Sequence, residues 1–192
     1  MSNPTQKIKT SESTCPAALL KGEISSRFQS FWTIGNLDIL NDNLLGIFCS
    51  IRCPGKIILN TYDCMRLLRD AGVPVVSGFH SPIEKDCLDI LLKGDQSIVV
   101  CPARSIARMR IPSVWKKPID QGRLLILSPF DEKQKRPTVS TAQQRNNLVA
   151  MLGSRFLIPY ADTSGKPEQL GRKIIQAGKG VYTFLSGKSR LV

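Results

Sequence analysis

Short, mostly apolar segments recur along this sequence, and a helix-forming stretch follows all but the last of them. Between the first two, Ile58, Tyr62, Met65 and Leu68 recur at the spacing of one helix face. Apolar strands that alternate with helices are typical of a parallel sheet covered on both sides. The sequence therefore predicts an α/β fold, a Rossmann-like three-layer domain with a mainly parallel central sheet and helices on both faces. The predicted strands are 44–49, 73–76, 97–101, 124–127, 156–160 and 181–184.

The segment 73–84 contains the clearest turn from a strand into a helix. Ser81 is placed to cap the helix, Pro82 suits its first position, and Glu84 completes a capping box. Backbone N–H groups and the positive end of the helix dipole favour an anion at such a helix start. Because parallel sheets bind ligands at the carboxyl ends of their strands, we expect a phosphate-binding site there.

The net charge indicates which phosphate-bearing ligand to expect. The formal charge is +12 and the pI is about 9.7. Residues 1–43 contain as many acidic as basic residues, so the whole excess lies in 44–192. This part includes a basic stretch from Arg104 to Lys117 that is predicted to be helical. A positive field over the segment with the strand-to-helix turns favours a polyanion, with nucleic acid ahead of a membrane surface. The alternative is a solvated basic surface that only keeps the protein soluble.

The length of 192 residues suits one main domain. Residues 1–13 are polar with almost no large apolar side chains, so we expect 1–30 to be flexible or loosely ordered and 31–192 to form the α/β domain. The sequence has no apolar run of transmembrane length and no signal-peptide core. We therefore expect a cytoplasmic protein without a membrane partner.

The cysteines do not form a metal-binding pattern. The six cysteines include no Cys-x-x-Cys pair, and His80 is the single histidine, so we expect free thiols and no metal. The turn 50–55 has one glycine where the dinucleotide fingerprint has three, and we therefore expect no cofactor. In this turn the guanidinium of Arg52 is placed to hold a phosphate through paired hydrogen bonds.

Several short motifs resemble one known family. They are Gly35-Asn36-Leu37-Asp38-Ile39-Leu40, Ser50 with Arg52, Val75-Val76-Ser77-Gly78 with Ile83-Glu84, Arg145-Asn146, and Ser164-Gly165. In this order, over roughly residues 30–185, they are similar to the Rossmann-type domain of the DNA-processing protein A (DprA or Smf) family. The resemblance implies a non-enzymatic protein that binds single-stranded DNA in a basic pocket above the sheet. It also implies a role in DNA recombination and natural transformation, a recombination protein as partner, and a homodimer.

The sequence departs from the family pattern in three motifs. The family's Gly-Ser-Arg reads Ser50-Ile51-Arg52, the second glycine of its Ser-Gly-x-Ala-x-Gly-Ile-Asp turn is Pro82, and its Arg-Asn-Arg reads Arg145-Asn146-Asn147. The residue patterns and the resemblance together give a set of candidate phosphate- and nucleic-acid-binding residues. They are Ser50, Arg52, Gly55, Ser77, Gly78, Phe79, His80, Arg145, Asn146, Ser164, Gly165 and Lys166.

Some of these candidates have an alternative structural role. Ser77 and Gly78 could serve only to form a tight turn. Phe79 could be a core residue or a platform for base stacking. Arg145 and Asn146 could cap a helix.

A second hypothesis is enzymatic. The same superfamily contains the lysine-decarboxylase-like proteins, with a signature Pro-Gly-Gly-x-Gly-Thr-x-x-Glu before a late helix. The corresponding segment, 162–168, keeps Gly165 and ends in Glu168, which could act as a base. The alternative function is therefore that of a nucleotide-binding sensor or a phosphoribohydrolase.

Overall fold

An eight-stranded mixed sheet runs through the part of the chain that the computed structural model describes, residues 5–184. A short 3-10 helix, Leu37–Asn41, lies between the second and third strands. In chain order the other elements are β1 (Gln6–Lys9), α1 (Ala17–Leu20), α2 (Ile24–Arg27), β2 (Ser30–Gly35), β3 (Leu45–Ile47), α3 (Gly55–Asp70), β4 (Val75–Ser77), α4 (Pro82–Leu91), β5 (Ile98–Val100), α5 (Ser113–Asp120), β6 (Leu124–Ser128), α6 (Val139–Leu152), β7 (Arg155–Leu157), α7 (Lys166–Gln176) and β8 (Gly180–Tyr182).

The strand order is β1-β2-β6-β5-β4-β3-β7-β8. All pairs from β6 to β8 are parallel, whereas β2 pairs antiparallel with both β1 and β6. This arrangement confirms the mainly parallel sheet. From β3 the chain continues outward to β4, β5 and β6, and then crosses to β7 and β8 on the other side. The direction of winding therefore changes between β3 and β7, where sheets of this kind form a ligand crevice.

Helices cover both faces of the sheet, which confirms the three-layer architecture. Successive strand residues point to opposite faces, so Val99 packs in one core while Ile98 and Val100 pack in the other. The core around Val99 also contains apolar residues of α1, α2, α6 and α7. The opposite core contains residues of α3, α4 and α5. Both faces are buried at the central strands β3, β4, β5 and β6, which explains why these four strands are almost wholly apolar.

The N-terminal segment differs from the expectation for residues 1–30. From residue 5 onward it belongs to the folded domain: β1 pairs with β2, and Ile8 is only 3% exposed. Leu19, Ile24 and Phe28 are buried in the core on the α6–α7 face. The few apolar residues of this segment are thus enough to anchor it, because β2 offers it an open edge for hydrogen bonding.

The basic stretch after β5 also differs from its prediction. Only Ser113–Asp120 is helical, and residues 101–112 form an irregular loop. This loop contains Pro102 and Pro112, and a proline disfavours the helical conformation in the residue before it.

The cysteines, all within the described residues, are unpaired. Burial raises the pKa of Cys87 to about 12 and that of Cys101 to about 12, so both are protonated at neutral pH. Across residues 5–184 there is no group of His, Cys, Asp and Glu side chains that could hold a metal ion. Over the same residues no helix has the length and hydropathy required to cross a bilayer.

We expect Ile8→Ala to lower the free energy of unfolding by about 2–5 kcal/mol, because it removes a buried side chain and leaves a cavity. Urea unfolding at neutral pH measures this change. The neighbouring exposed substitution Lys9→Ala is the control and should stay within about 0.5 kcal/mol of the parent protein. Equal values for the two variants would show that β1 is not part of the cooperative core.

Candidate functional site

A cavity of about 990 Å³ opens at the carboxyl ends of β3, β4 and β7. Its walls come from the segments that follow these strands and from the first turns of α4, α6 and α7. This position coincides with the change of winding direction between β3 and β7. The wall residues are Phe48, Cys49, Ser50, Ile51, Arg52, His80, Ser81, Glu84, Pro137, Thr138, Val139, Ala142, Arg145, Asn146, Asp162, Gly165, Lys166, Pro167 and Leu170.

Ser50 joins the two sides of the winding change. Its backbone N–H donates to the carbonyl of Tyr160 at 3.1 Å, and its hydroxyl oxygen accepts from the N–H of Asp162 at 2.9 Å. Ser50 is buried, so these bonds are shielded from water. Its main role is to fix the loop after β3 against the loop after β7.

Glu84 joins the ends of β3 and β4. One carboxylate oxygen accepts the backbone N–H of Cys49 at 3.1 Å, and the other accepts those of His80 at 2.8 Å and Ser81 at 3.2 Å. The hydroxyl of Ser81 in turn accepts the N–H of Glu84, which completes the predicted capping box. The start of α4 is therefore occupied by its own carboxylate. It is not the open phosphate site that the segment 73–84 suggested.

The starts of α6 and α7 differ in how they are capped. Thr138 and Thr141 form a reciprocal capping box at α6. The first turn of α7 has no side-chain cap, and its N-cap is Gly165. A Cβ at Gly165 would lie 2.8 Å from the carbonyl oxygen of Asp162, so glycine allows this close turn. Since Gly165 and Lys166 line the cavity, the N-terminus of α7 lies at the cavity, and the carboxylate of Glu168 in its first turn offsets part of its positive charge.

Arg145 lies in the second turn of α6, against the cavity and only 5% exposed. Its Nη1 donates to the carbonyl of Cys101 at 3.4 Å, while its Nε has no hydrogen-bond partner among residues 5–184. Burial lowers the pKa of this guanidinium, and the nearby carboxylate of Glu84 partly offsets the effect. Because Arg145 belongs to the cavity wall, its positive charge favours an anion in the cavity, whereas its Nε atom is itself enclosed by protein.

Gly78 makes room for this arginine. A Cβ at Gly78 would lie 1.0 Å from Nη1 of Arg145. Any larger residue at position 78 must therefore move the guanidinium. The motif Ser77-Gly78 thus contributes to the site indirectly, through the position of Arg145.

The rim of the cavity carries two exposed cations, Arg52 and Lys166. Arg52 forms no hydrogen bond or ion pair with any of the residues that the structure describes, so its guanidinium is available to a ligand. With Arg145 the wall has three cationic side chains against the carboxylates of Glu84 and Asp162. The wall is therefore positive by one charge, and one of its carboxylates, Glu84, is already occupied by backbone donors.

The structure brings together part of the predicted site. The candidates that line the cavity are Ser50, Arg52, His80, Arg145, Asn146, Gly165 and Lys166, and those that do not are Gly55, Ser77, Gly78, Phe79 and Ser164. The hydroxyl of Ser77 donates to the carbonyl of Ile47 at 2.8 Å, inside the turn. Phe79 is a core residue, 5% exposed, and so offers no free face for base stacking.

Two apolar residues at the mouth of the cavity were not predicted. Ile51 is 71% exposed and Val139 is 68% exposed, and both belong to the wall. Their exposure depends on how the loop after β3 meets α6, which the local sequence pattern does not indicate.

We expect Glu84→Ala to lower the free energy of unfolding by about 3 kcal/mol or more, because three backbone donors lose their acceptor and each buried donor left unpaired costs about 1–3 kcal/mol. Glu84→Gln should lose less, since it keeps one carbonyl oxygen. Urea unfolding is the measurement, with the exposed Glu132→Ala as control. A loss no larger than that of Glu132→Ala would contradict the role assigned to Glu84.

Comparison with known families supports the resemblance inferred from the motifs. The sequence matches the family described as DNA recombination-mediator protein A over residues 7–169. No curated protein sequence matches the chain.

The fold is similar to two solved structures. DNA processing protein A (DprA) from Streptococcus pneumoniae superposes with a TM-score of 0.77 at 15% identity, covering 97% of this chain and 65% of that protein. DNA processing protein A from Helicobacter pylori, whose structure is described for its single-stranded DNA binding mode, gives a TM-score of 0.73 at 20% identity, covering 98% of this chain and 85% of that one. The chain thus spans less than two thirds of the Streptococcus pneumoniae protein.

At such identities the two structures establish the fold alone. The family match has a broader basis, because it extends from β1 into α7 and includes most of the chain. The protein therefore belongs to the DNA recombination-mediator protein A family.

Proposed function

We propose that this protein binds single-stranded DNA by holding backbone phosphates in the cavity at the ends of β3, β4 and β7, in a DNA-processing or recombination role. The observation that carries the proposal is the group of three cationic side chains in the cavity wall, Arg52, Arg145 and Lys166. Phosphate oxygens are strong acceptors for such donors, and the bonds would be charge-assisted.

The surroundings of Arg145 support a phosphate in this place. The first turn of α7 has no side-chain cap and can offer backbone N–H donors, except at Pro167, although the carboxylate of Glu168 in the same turn offsets part of the positive end of the dipole. Arg52 and Lys166 stand at the rim, where they could contact the same phosphate or its neighbour along the strand. Arg52 is best suited to this because its planar fork can bind a phosphate through two hydrogen bonds.

The mouth of the cavity favours a single strand over a duplex. Ile51 and Val139 present exposed apolar surface beside the cations. An unpaired base can pack its face on such a surface, whereas the bases of a duplex are already stacked and paired. The Helicobacter pylori relative, described for its single-stranded DNA binding mode, is in accord with this preference.

Family membership is the basis for three further parts of the proposal. They are a homodimer, a recombination protein as partner, and a cytoplasmic location where the DNA would be processed. The positive charge of residues 44–192 suits the DNA but does not distinguish among protein partners.

Hydrolysis is less well supported than binding. Glu168, the candidate base, does not belong to the cavity wall. Its carboxylate accepts from Arg172 at 2.7 Å and from the backbone N–H of Ser164, and these bonds lower its pKa. A carboxylate that is stabilised in its charged form is a weaker base. We therefore propose a binding protein rather than a phosphoribohydrolase.

We expect Arg52→Ala to weaken the binding of a single-stranded oligothymidylate by about 1.5–3 kcal/mol, the range for hydrogen bonds to a charged group. Its stability should change by less than about 0.5 kcal/mol, because the side chain is exposed. Fluorescence anisotropy at low salt measures the affinity. The control, Lys93→Ala, removes the same charge from the loop after α4, at the amino ends of the strands and away from the cavity. This variant should bind almost as the parent does. Equal losses in the two variants would indicate diffuse attraction without a site.

The same assay separates DNA binding from nucleotide sensing. A nucleoside monophosphate has one phosphate, so it should displace the oligonucleotide only at far higher concentration than an unlabelled oligonucleotide does. Displacement at comparable concentrations would favour the nucleotide-sensor alternative.

A double-mutant cycle tests the link between Gly78 and Arg145. Gly78→Ala should weaken oligonucleotide binding, because the added methyl displaces the guanidinium, and it should have little further effect in an Arg145→Ala background. Affinities are compared at a temperature at which all four proteins are folded, as judged by circular dichroism. Additive losses would contradict the view that Gly78 acts through Arg145.

A further inference from the structure

A second basic surface lies at the carboxyl ends of the strands, on the same side of the sheet as the opening of the cavity. It is formed by the loops that follow β5 and β6, residues 101–112 and 129–138. Arg104, Arg108 and Lys135 of these loops line a separate depression of about 400 Å³, together with the carboxylate-bearing Glu132. We call this area the β5–β6 surface. The same loops carry three further cations and one further carboxylate, namely Arg110, Lys133, Arg136 and Asp131.

The β5–β6 surface is held in place by hydrogen bonds that join the loop after β5 to the loop after β6 and to the last residue of β6. The N–H of Ser105 donates to the carbonyl of Gln134 at 2.8 Å, and the hydroxyl of Ser128 donates to the carbonyl of Arg104 at 2.8 Å. Ile106, which is fully buried, anchors the first loop in the core. The cations therefore project from a fixed backbone, which lowers the entropic cost of binding a ligand.

The cations of the depression are exposed and unpaired. Arg104, Arg108 and Lys135 form no ion pair and no side-chain hydrogen bond with any residue from 5 to 184. They line one depression together with a single carboxylate, that of Glu132, so positive charge is in excess there. A polyanion would neutralise this excess.

The β5–β6 surface adjoins the cavity. Pro137 lines the cavity and Lys135 lines the depression, and two residues of chain span at most about 7 Å. The strands beneath both sites are neighbours in the order β6-β5-β4-β3-β7. Neighbouring strands are about 4.8 Å apart, so the carboxyl ends of these five strands form a row about 19 Å long.

We propose that a single DNA strand held in the cavity continues over the β5–β6 surface, where Arg104, Arg108 and Lys135 contact its phosphates. The proposal rests on the proposed function of the cavity and extends it to a second subsite. A row of strand ends about 19 Å long accommodates five or six phosphates, because the phosphates of a stacked strand are spaced about 3.4 Å apart along its axis. Binding should therefore depend on oligonucleotide length, and a very short strand should not need the second subsite.

The test compares two oligonucleotides, dT4 and dT20, on a triple variant, Arg104→Gln/Arg108→Gln/Lys135→Gln. For dT20 we expect a loss of affinity of at least tenfold at low salt. The slope of log affinity against log salt should become shallower by about 2, at about 0.7 for each lost phosphate contact. For dT4, followed by NMR titration, we expect affinity within about twofold of the parent, because it can bind in the cavity alone.

The matched control is Lys93→Gln/Lys117→Gln/Lys173→Gln. These exposed lysines lie in the last turns of α5 and α7 or just after α4, on the side of the sheet where the strands begin. The control therefore changes the net charge by the same amount, away from the cavity and the β5–β6 surface. If both triple variants weaken dT20 equally, or if the first weakens dT4 and dT20 equally, the second subsite is disproved.

Arg52→Ala shows separately whether the cavity binds DNA. If it leaves dT4 affinity unchanged, the proposed function of the cavity fails. If it weakens dT4 while the first triple variant leaves dT20 unaffected, the cavity stands and the extension alone is wrong. Circular dichroism and urea unfolding of every variant exclude loss of fold as the cause.

Discussion

The carboxylate of Glu84 is the interaction on which the architecture of the site depends. It accepts backbone N–H groups from the end of β3, at Cys49, and from the turn after β4, at His80 and Ser81. Because it neutralises the start of α4, the positive helix end that remains without a side-chain cap at the cavity is that of α7. The same carboxylate offsets part of the desolvation of Arg145. One residue thus holds two strand ends together and allows a buried guanidinium to remain next to the cavity.

The sequence predicts those features that depend on local pattern. The predicted strands correspond to β3 through β8, whereas β1 and β2 were not predicted. The central strands could be predicted because burial on both sheet faces requires almost wholly apolar segments, and the capping box at Ser81 could be predicted because its residues are neighbours in sequence. The bond from Cys49 to Glu84 spans 35 positions and leaves no local trace. β1 contains one buried residue, Ile8, among polar ones, so its apolar pattern is too weak to distinguish it from a frayed end.

The structure brings part of the predicted residue set to one cavity and leaves the other part outside it. Strand-end turns and the family motifs identified Arg52, Arg145 and Lys166, which the fold brings to one cavity. Gly78 and Arg145 were identified separately, and only the structure reveals that the missing side chain of one makes room for the other. The cavity wall itself is positive by a single charge, so much of the positive charge that the composition indicates lies elsewhere, including the β5–β6 surface.

The most direct test of this account is a crystal structure of the protein with a short oligothymidylate. We predict density for a phosphate at the first turn of α7, within hydrogen-bond distance of a backbone N–H of that turn and of the guanidinium of Arg52. An oligonucleotide bound at another surface, with the cavity between β3 and β7 free of DNA, would contradict the central claim.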